Sequence, residues 1–454
     1  MLRVLNLTNF KAWRRLKMPL ARITGIFGTN SSGKSSVLQF LLLLKQTKNA
    51  TDRGLVLDFG GPGELVNMGG YRDVVNRGDG DLDIEWTLNW ALSDELRIRD
   101  PSGRRTAVLM EGRDLQTSCR IGLRGPNLTT RHIKYRFANN DFFIEPKAER
   151  PSEFILKSDG DHDIHFIRNL GRKWALPGPV KTHLFPDQAQ TYYQNTSFLS
   201  QFEAEYEALM DSVFYLGPLR EYPQREYRWS GASPVDVGPR GEHSVDAILA
   251  ATSRNERMNL EPKWKLMKFQ EMIAYWLKEL ELIHSFEIKE IAQSSNLYHA
   301  RVRASKSSPE TMLTDVGFGV SQVLPVLVLL YYVPEGSIAL MEQPELHLHP
   351  SVQSKLADVI LAVAKRRNIQ VIVESHSEHL LRRFQRRAAE GGADSSDLKL
   401  YFVSNYRGVA KLEDLDLNEF GEIENWPNHF FGDEMGEIAA ISKASIERRI
   451  EASR

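Results

Sequence analysis

Apolar positions come in short blocks at the start of the chain. Leu2 to Leu7 is mostly apolar and Ile23 to Phe27 is short and β-rich, so the first 27 residues predict two strands with a turn between them. Gly28 opens a Gly/Ser loop. Ser35 to Leu44 follows and is apolar nearly all round (Leu38, Phe40, Leu41, Leu42, Leu43, Leu44), which predicts a helix packed between layers. Asp83 to Trp90 alternates through Ile84, Trp86, Leu88 and Trp90, the period of a half-buried antiparallel strand, and His132 to Phe137 and Phe142 to Glu145 read alike. Residues 146–200 are polar, with turn signals at Pro151, Gly160, Gly171, Pro177, Gly178 and Pro179, and read as an insertion. Helical periodicity returns at 198–212 and at 262–283, where Trp264, Met267, Phe269, Met272, Ile273, Trp276 and Leu277 recur. No heptad pattern persists, which argues against a long coiled-coil arm. From residue 311 the pattern runs loop, helix, strand, loop, helix, strand, an α/β reading with parallel strands. Residues 441–454 are a polar helix candidate. The implied division is an N-terminal lobe at 1–140, an inserted middle segment at 141–310 and a C-terminal lobe at 311–454.

Composition narrows the class. The chain has 454 residues, with 42% hydrophobic and 26% charged, the balance of a soluble globular protein. Lys plus Arg is 58 against 59 acids, for a net charge of −1. That excludes a globally basic nucleic-acid coat but leaves room for a local patch. A single cysteine, Cys119, excludes an internal disulfide and a cysteine-rich metal site, and suits a reducing compartment. The best apolar run, Val323 to Val333, is too short to span a bilayer and contains Pro325. The first residues lack the apolar core of a signal peptide. A cytoplasmic, soluble protein without a membrane partner is expected.

The chemistry begins at Gly28-Thr29-Asn30-Ser31-Ser32-Gly33-Lys34-Ser35, which satisfies G-x-x-x-x-G-K-[ST] between a predicted strand and a predicted helix. Glycines let the backbone curl so that its N–H groups point into one concavity, and the helix N-terminus adds its positive end. Asn30, Ser31, Ser32 and Ser36 fall in or beside that cradle. Lys34 is placed to reach β- and γ-phosphates, and the Ser35 hydroxyl to ligate Mg²⁺.

A second apolar strand, Ser337 to Met341, ends in Glu342-Gln343-Pro344-Glu345. Glu342 is the candidate for holding Mg²⁺. Gln343 follows, where many such ATPases carry a second carboxylate that polarises water. An amide orients water but cannot take its proton. Three readings stay open: a natively slow enzyme acting as a switch, another carboxylate (Glu345 or Glu374) as base, or an engineered Glu-to-Gln change that traps bound ATP.

Asp315-Val316-Gly317-Phe318-Gly319-Val320-Ser321-Gln322 precedes an apolar helix expected at Val323 to Tyr332. Two glycines and a serine at a helix start make another anion site. One chain hardly needs two cradles for one nucleotide, so this loop is expected to cap the ATP of a partner subunit through Gly319, Ser321 and Gln322. A further strand, Ile369 to Val373, ends in Glu374-Ser375-His376. His376 is the candidate γ-phosphate sensor. His347 and His349 read as a subunit-contact loop in preference to a zinc site.

Taken together, GTNSSGKS (28–35), DVGFGVSQ (315–322), IALMEQPELHLHP (338–350), VIVESHSEH (371–379) and the opening NLTNFKAW (6–13) resemble the ABC-type ATPases of the SMC, RecF and OLD group. The resemblance covers residues 1–75 and 311–405. It implies an α/β fold: a P-loop ABC-type ATPase head with a mixed sheet, a β-rich lobe and an inserted α+β middle segment. It also implies a head-to-head homodimer or higher oligomer with ATP and Mg²⁺ sandwiched between chains. Each site would take Lys34, Ser35, Glu342 and His376 from one chain and Gly319 with Ser321 from the other, with Lys11 or Arg14 near the nucleotide. Asn67 or Asp73 stands where the group's Q-loop glutamine is usual. Tyr215-Leu216-Gly217-Pro218-Leu219-Arg220, with Arg225, Tyr227 and Gly241-Glu242, and the terminal Asn425 to Phe431 are similar to a short bacterial subgroup without long coiled coil or Toprim nuclease. Many of its members sit in anti-phage defence systems beside an effector.

Asp414, Asp416 and Glu419 are strung too closely on a polar segment for a two-metal nuclease site. Any nuclease activity is therefore expected from an effector protein. Arg382, Arg383, Arg386 and Arg387 share one helix face, which reads either as a DNA-phosphate stripe or as a solvated face paired with acids. The expectation is an ATPase, slow because of Gln343, that couples nucleotide state to an effector or to DNA. The alternatives are a nucleotide-locked scaffold and a RecF-like DNA repair clamp.

Overall fold

Residues 1–28 form three strands, not two: β1 (Leu2–Phe10), β2 (Trp13–Pro19) and β3 (Ile23–Gly28). The unexpected β2 buries Trp13, Leu16 and Met18 and turns Arg14, Arg15 and Lys17 outward. It is an edge strand whose basic face hides its alternation. The computed structural model describes residues 1–76, 82–99, 108–162, 164–170, 174–260, 264–293, 295–418 and 420–426, with 441, 443–445 and 448. Glu419, Gly171, Pro427 to Phe431 of the terminal element and most of the expected tail helix lie outside these.

After β3 comes α1 (Lys34–Asn49), one turn longer than the apolar run, and a short α2 (Tyr71–Val74). Five long strands follow: β4 (Ile84–Arg99), β5 (Val108–Arg124), β6 (Asn127–Phe137), β7 (Asn140–Pro146) and β8 (Phe154–Gly160). With β1 and β2 they build a seven-stranded antiparallel sheet in the order β2-β1-β4-β5-β6-β7-β8. The expected division at residue 140 falls inside this sheet. One face buries Trp86, Tyr135, Phe137 and Phe142 against α1 and α4 (Leu199–Asp211). The outer face carries cross-strand ion pairs such as Arg120–Glu85 at 2.7 Å and Lys157–Glu145 at 2.7 Å.

The second sheet has six strands, ordered β19-β18-β3-β17-β16-β9. These are β9 (Val213–Leu216), β16 (Ile338–Glu342), β17 (Gln370–Glu374), β18 (Leu398–Tyr406) and β19 (Val409–Asp414), around β3. All but β19 run parallel. Helices cover the sheet on both faces, so its central strands β3, β16 and β17 are largely apolar, while β18 and β19 carry polar positions toward the edge. Ile26, Leu340 and Ile372 face the first core cluster, and Phe27, Met341 and Val373 the second.

The middle segment supplies α3 (Asp187–Tyr192), α4 and α5 (Ser244–Ser253). It also supplies two-residue strands β10 (Tyr227–Arg228), β11 (Arg257–Met258) and β12 (Met267–Lys268). α6 is shorter than the periodicity implied (Phe269–Glu279), because β12 precedes it and β13 (Ser285–Glu290) follows. β13, β14 (Leu297–Arg303), β10 and β15 (Thr311–Met312) make a small sheet. α5 escaped the periodic reading because burial covers most of it: seven of its ten residues are buried, Ser244 among them. Lysines tie this segment to α1. Lys45 Nζ donates to the carbonyl of Met210 at 3.1 Å and to that of Val213, Lys48 pairs with Asp211 at 2.6 Å, and Lys181 donates to Thr47 and Ala50 carbonyls at 3.2 and 2.8 Å. The C-terminal lobe adds α7 (Phe318–Tyr332), α8 (Pro350–Arg366) and α9 (Glu378–Ala389). α7 begins at Phe318, five residues earlier than expected, so Gly319, Ser321 and Gln322 are already helical. Among the described residues, no helix is long and apolar enough to cross a membrane.

Candidate nucleotide site

The site lies at the carboxyl ends of the parallel strands, where open α/β sheets bind ligands. β3 ends in the phosphate loop, β16 in Glu342 and β17 in Glu374, and Glu342 and Glu374 are register partners. Gly28 lies against β18: a Cβ there would come within 2.1 Å of the Val403 carbonyl oxygen. Ser31 and Gly33 take φ of 58° and 105°, which turns successive amides to one side. The Trp13 indole N–H donates to the Gly33 carbonyl at 3.0 Å and fixes the loop to β2. Lys34 Nζ donates to the carbonyls of Gly28 (3.1 Å) and Thr29 (2.7 Å). Burial lowers its pKa, opposed by Glu374 and Glu345.

One pocket gathers residues 30–36 with Lys11, Gln343, Glu374 and His376. Lys11, from the β1–β2 turn, donates to Gln39 at 2.6 Å. The Ser35 hydroxyl donates to Glu374 Oε1 at 2.9 Å, which leaves its lone pairs free to face the pocket. Glu374 Oε2 is buried with no hydrogen-bond partner. Glu342 is buried beside this group and accepts from the Tyr215 hydroxyl at 3.0 Å. Burial, then the charge of Glu374, pushes its carboxyl up to about 7. Glu345 is buried and accepts from the Ser375 hydroxyl (2.7 Å) and the His376 amide (2.9 Å); it braces the strand end and does not line the pocket. Partial burial, then Lys34, holds the His376 imidazole below its ordinary pKa.

Gln343 stands at φ 43°, a left-handed conformation that costs a non-glycine residue about 1–2 kcal/mol. Its amide donates to the Glu374 carbonyl at 2.8 Å. A hydroxyl, two neighbouring carboxylates and an unpartnered carboxylate oxygen suit a hard divalent cation such as Mg²⁺.

Other expected residues lie elsewhere. Gly319, Ser321 and Gln322 start α7 outside the pocket, with the Ser321 hydroxyl on the Phe318 carbonyl at 2.8 Å. Asp73 caps α2 through the Gly70 amide at 2.8 Å, and neither it nor Asn67 lines the pocket. His349 caps α8 through the Ser351 amide at 3.3 Å. The arginine face of α9 is paired. Arg383 and Arg387 meet Asp358 at 2.9 and 2.7 Å, Arg386 meets Glu390 at 2.7 Å, and Arg382 meets Glu378 at 3.1 Å. That matches the solvated-face reading, because the acids come from α8 as well as α9. Sequence reasoning missed the Ser35–Glu374 and Tyr215–Glu342 contacts. Its available signal for Glu374 was an acid closing the next apolar strand.

A family model described as an AAA ATPase domain matches residues 1–101 and 245–381, more than half of the chain. A second, described as a protein of unknown function (DUF3696), matches residues 394–441. No curated protein matches. Among solved structures, the SMC head domain from Thermotoga maritima aligns at 12% identity and a TM-score of 0.43, covering 91% of this chain and 99% of that one. An Smc head bound to the C-terminal winged-helix domain of ScpA aligns at 14% identity and 0.43, covering 92% and 98%. An Smc head domain with an extended coiled coil, bound to the C-terminal domain of ScpA derived from Pyrococcus furiosus, aligns at 11% identity and 0.43, covering 92% and 96%. The family match agrees with the ABC-type resemblance that the motifs carry. The chain belongs to the AAA ATPase domain family.

Proposed function

We propose that this protein is a slow, Mg²⁺-dependent ATPase that dimerises head to head around two ATPs and passes its nucleotide state to an effector protein in the cytoplasm. The observation that carries the reading is the convergence of the phosphate loop, Gln343, Glu374 and His376 in one pocket at the ends of parallel strands. In this reading Lys34 leaves its two loop carbonyls for the β- and γ-phosphates, beside the amides of residues 30–36. Ser35 and Glu342 hold Mg²⁺, which neutralises charge on the phosphates when bound. Glu374 orients the Ser35 hydroxyl. Gln343 orients the attacking water through its amide, which cannot accept the proton, and this makes turnover slow. His376 senses the γ-phosphate. Gly319, Ser321 and Gln322, which do not line the pocket of their own phosphate loop, serve the partner's ATP.

A nucleotide-locked scaffold is the second reading, favoured by Gln343 and by the engagement of the nearby acids: Glu345 with Ser375 and His376, Glu374 with Ser35. A DNA clamp is less supported, because the α9 arginines are already paired. An anti-phage role, with a nuclease effector, rests on the subgroup resemblance alone.

ATP hydrolysis by the purified chain, beside Lys34→Ala and Gln343→Glu, tests this. The expected result is slow Mg²⁺-dependent turnover, lost in Lys34→Ala and raised in Gln343→Glu. Turnover indifferent to Lys34→Ala would sink the reading. No turnover in the parent, with a gain in Gln343→Glu, selects the scaffold.

A further inference from the structure

The segment Tyr215 to Arg220 runs off the end of β9, next to β16. Two of its side chains reach Glu342. The Tyr215 hydroxyl donates to Glu342 Oε1 at 3.0 Å. Arg220 Nη2 approaches the Glu342 main-chain carbonyl at 3.4 Å. Arg220 is only 7% exposed, and its Nε and Nη1 are buried with no hydrogen-bond partner. A buried guanidinium is costly unless its surroundings compensate it. Burial lowers the pKa of Arg220 to about 10, and Tyr215, Glu342 and Glu345 offset only part of that cost.

The carbonyl that Arg220 meets belongs to the peptide joining Glu342 to Gln343. The N–H of that same peptide donates to the Glu374 carbonyl at 2.8 Å. The peptide is thus held from opposite sides, by β17 and by the middle segment. It is also the peptide that leads into the left-handed φ of 43° at Gln343. A strained conformation persists only where its surroundings over-determine it. The two contacts bear on different groups: Tyr215 on the Glu342 carboxylate, Arg220 on the peptide that leads into Gln343.

We infer that Tyr215 and Arg220 are positioning residues of the nucleotide site, Tyr215 setting the Glu342 carboxylate for its metal and Arg220 locking the Glu342–Gln343 peptide that aims the water-orienting amide. The inference rests on the proposed roles of Glu342 and Gln343. It adds a part of the machinery that the middle segment supplies, outside the phosphate loop, the acidic strand and the signature.

The test is binding of a fluorescent ATP analogue with Mg²⁺ and with EDTA, using Tyr215→Phe, which keeps the ring and removes only the hydroxyl. The expected result is unchanged affinity in EDTA and an Mg²⁺-dependent gain reduced about tenfold, the scale for groups that orient metal ligands. A full Mg²⁺ gain in Tyr215→Phe overturns the proposal. Equal loss in EDTA and in Mg²⁺ also overturns it, because that is collapse of the site and not positioning. If the parent shows no Mg²⁺ gain, the metal role of Glu342 fails and the proposal fails with it. Arg220→Lys keeps the cation and loses the planar fork. Hydrogen exchange in this variant should quicken at residues 342–348 while β9 stays protected. Unchanged exchange at 342–348 overturns the role of Arg220.

Discussion

The two large sheets solve opposite problems. The seven-stranded antiparallel sheet buries aromatic side chains on one face and keeps its charges outside, in pairs such as Arg120–Glu85. The six-stranded sheet has largely apolar central strands yet collects Lys34, Glu342, Glu345, Glu374 and Arg220 in burial at one end. Unpartnered buried atoms on Glu345, Glu374 and Arg220 cluster there, as do left-handed Ser31, Gln343 and His347. Natural sequences break local rules mostly at functional sites. The contrast teaches that acids and bases buried together mark the chemistry at one end of the six-stranded sheet, while aromatic burial against the seven-stranded sheet marks stability, so substitutions in the two regions should separate.

The largest separation is expected from Lys34→Ala. Loss of a preorganised charge at the phosphates should cut turnover by at least about 100-fold, with little change in melting temperature because Lys34 bonds only its own loop. Paired turnover and thermal-melt measurements check it, and a large fall in melting temperature would blur the comparison. The mirror experiment is Phe202→Ala. Phe202 is fully buried among Tyr135, Phe137, Phe142 and Phe198. Its truncation should cost about 3–5 kcal/mol in denaturant unfolding, while nucleotide affinity per folded molecule stays unchanged. Ser321→Arg sharpens the comparison at a third place. It should leave analogue binding intact and abolish the proposed ATP-dependent dimerisation in light scattering, since Ser321, in the first turn of α7, does not line the phosphate-loop pocket.

Smaller effects test the aromatic side. His183 is buried, its ring stacked on Tyr206 at 4.7 Å, with neither nitrogen hydrogen-bonded and Glu207 Oε1 3.6 Å from Nε2. Burial, then Lys181 and Lys48, lowers its pKa from 6.5 to about 3. The folded state thus binds the proton less readily than the unfolded chain. The stability this represents is complete above 6.5 and drains away as pH falls toward 3. His183→Phe should flatten that part of the pH–stability curve, and identical slopes in parent and variant would refute it. Smallest is Arg120→Ala, an exposed cross-strand pair expected to contribute no more than about 0.5 kcal/mol.

Much of this was legible in the chain. The phosphate loop is a local device, so its strand, loop and helix can be read together from residues 23–44. Parallel strands announce themselves as short apolar runs between glycines and helices. What stayed hidden depends on neighbours distant in sequence. The hydroxyl of Ser35 meets Glu374 across 339 residues, and Tyr215 meets Glu342 across 127. Nothing in an apolar run says which strand lies beside it. The same holds for α9: its spacing set four arginines on one face, but only the packing of α8 brings Asp358 to them. β2 was missed because its exposed positions are basic, and α5 because a short, mostly buried helix leaves little periodic signature.

One feature of α1 reaches beyond chemistry into mechanics. The helix carries the phosphate loop at its start, and its last turns are gripped by Lys181 from the middle segment and by its own Lys45 and Lys48 reaching to residues 210–213. Sixteen residues make a rod about 24 Å long. A rod held at both ends transmits displacement instead of absorbing it. Any shift of the phosphate loop is therefore felt at the root of β9, the strand that carries Tyr215, and a spectroscopic label near residue 50 becomes a gauge of a loop a helix-length away.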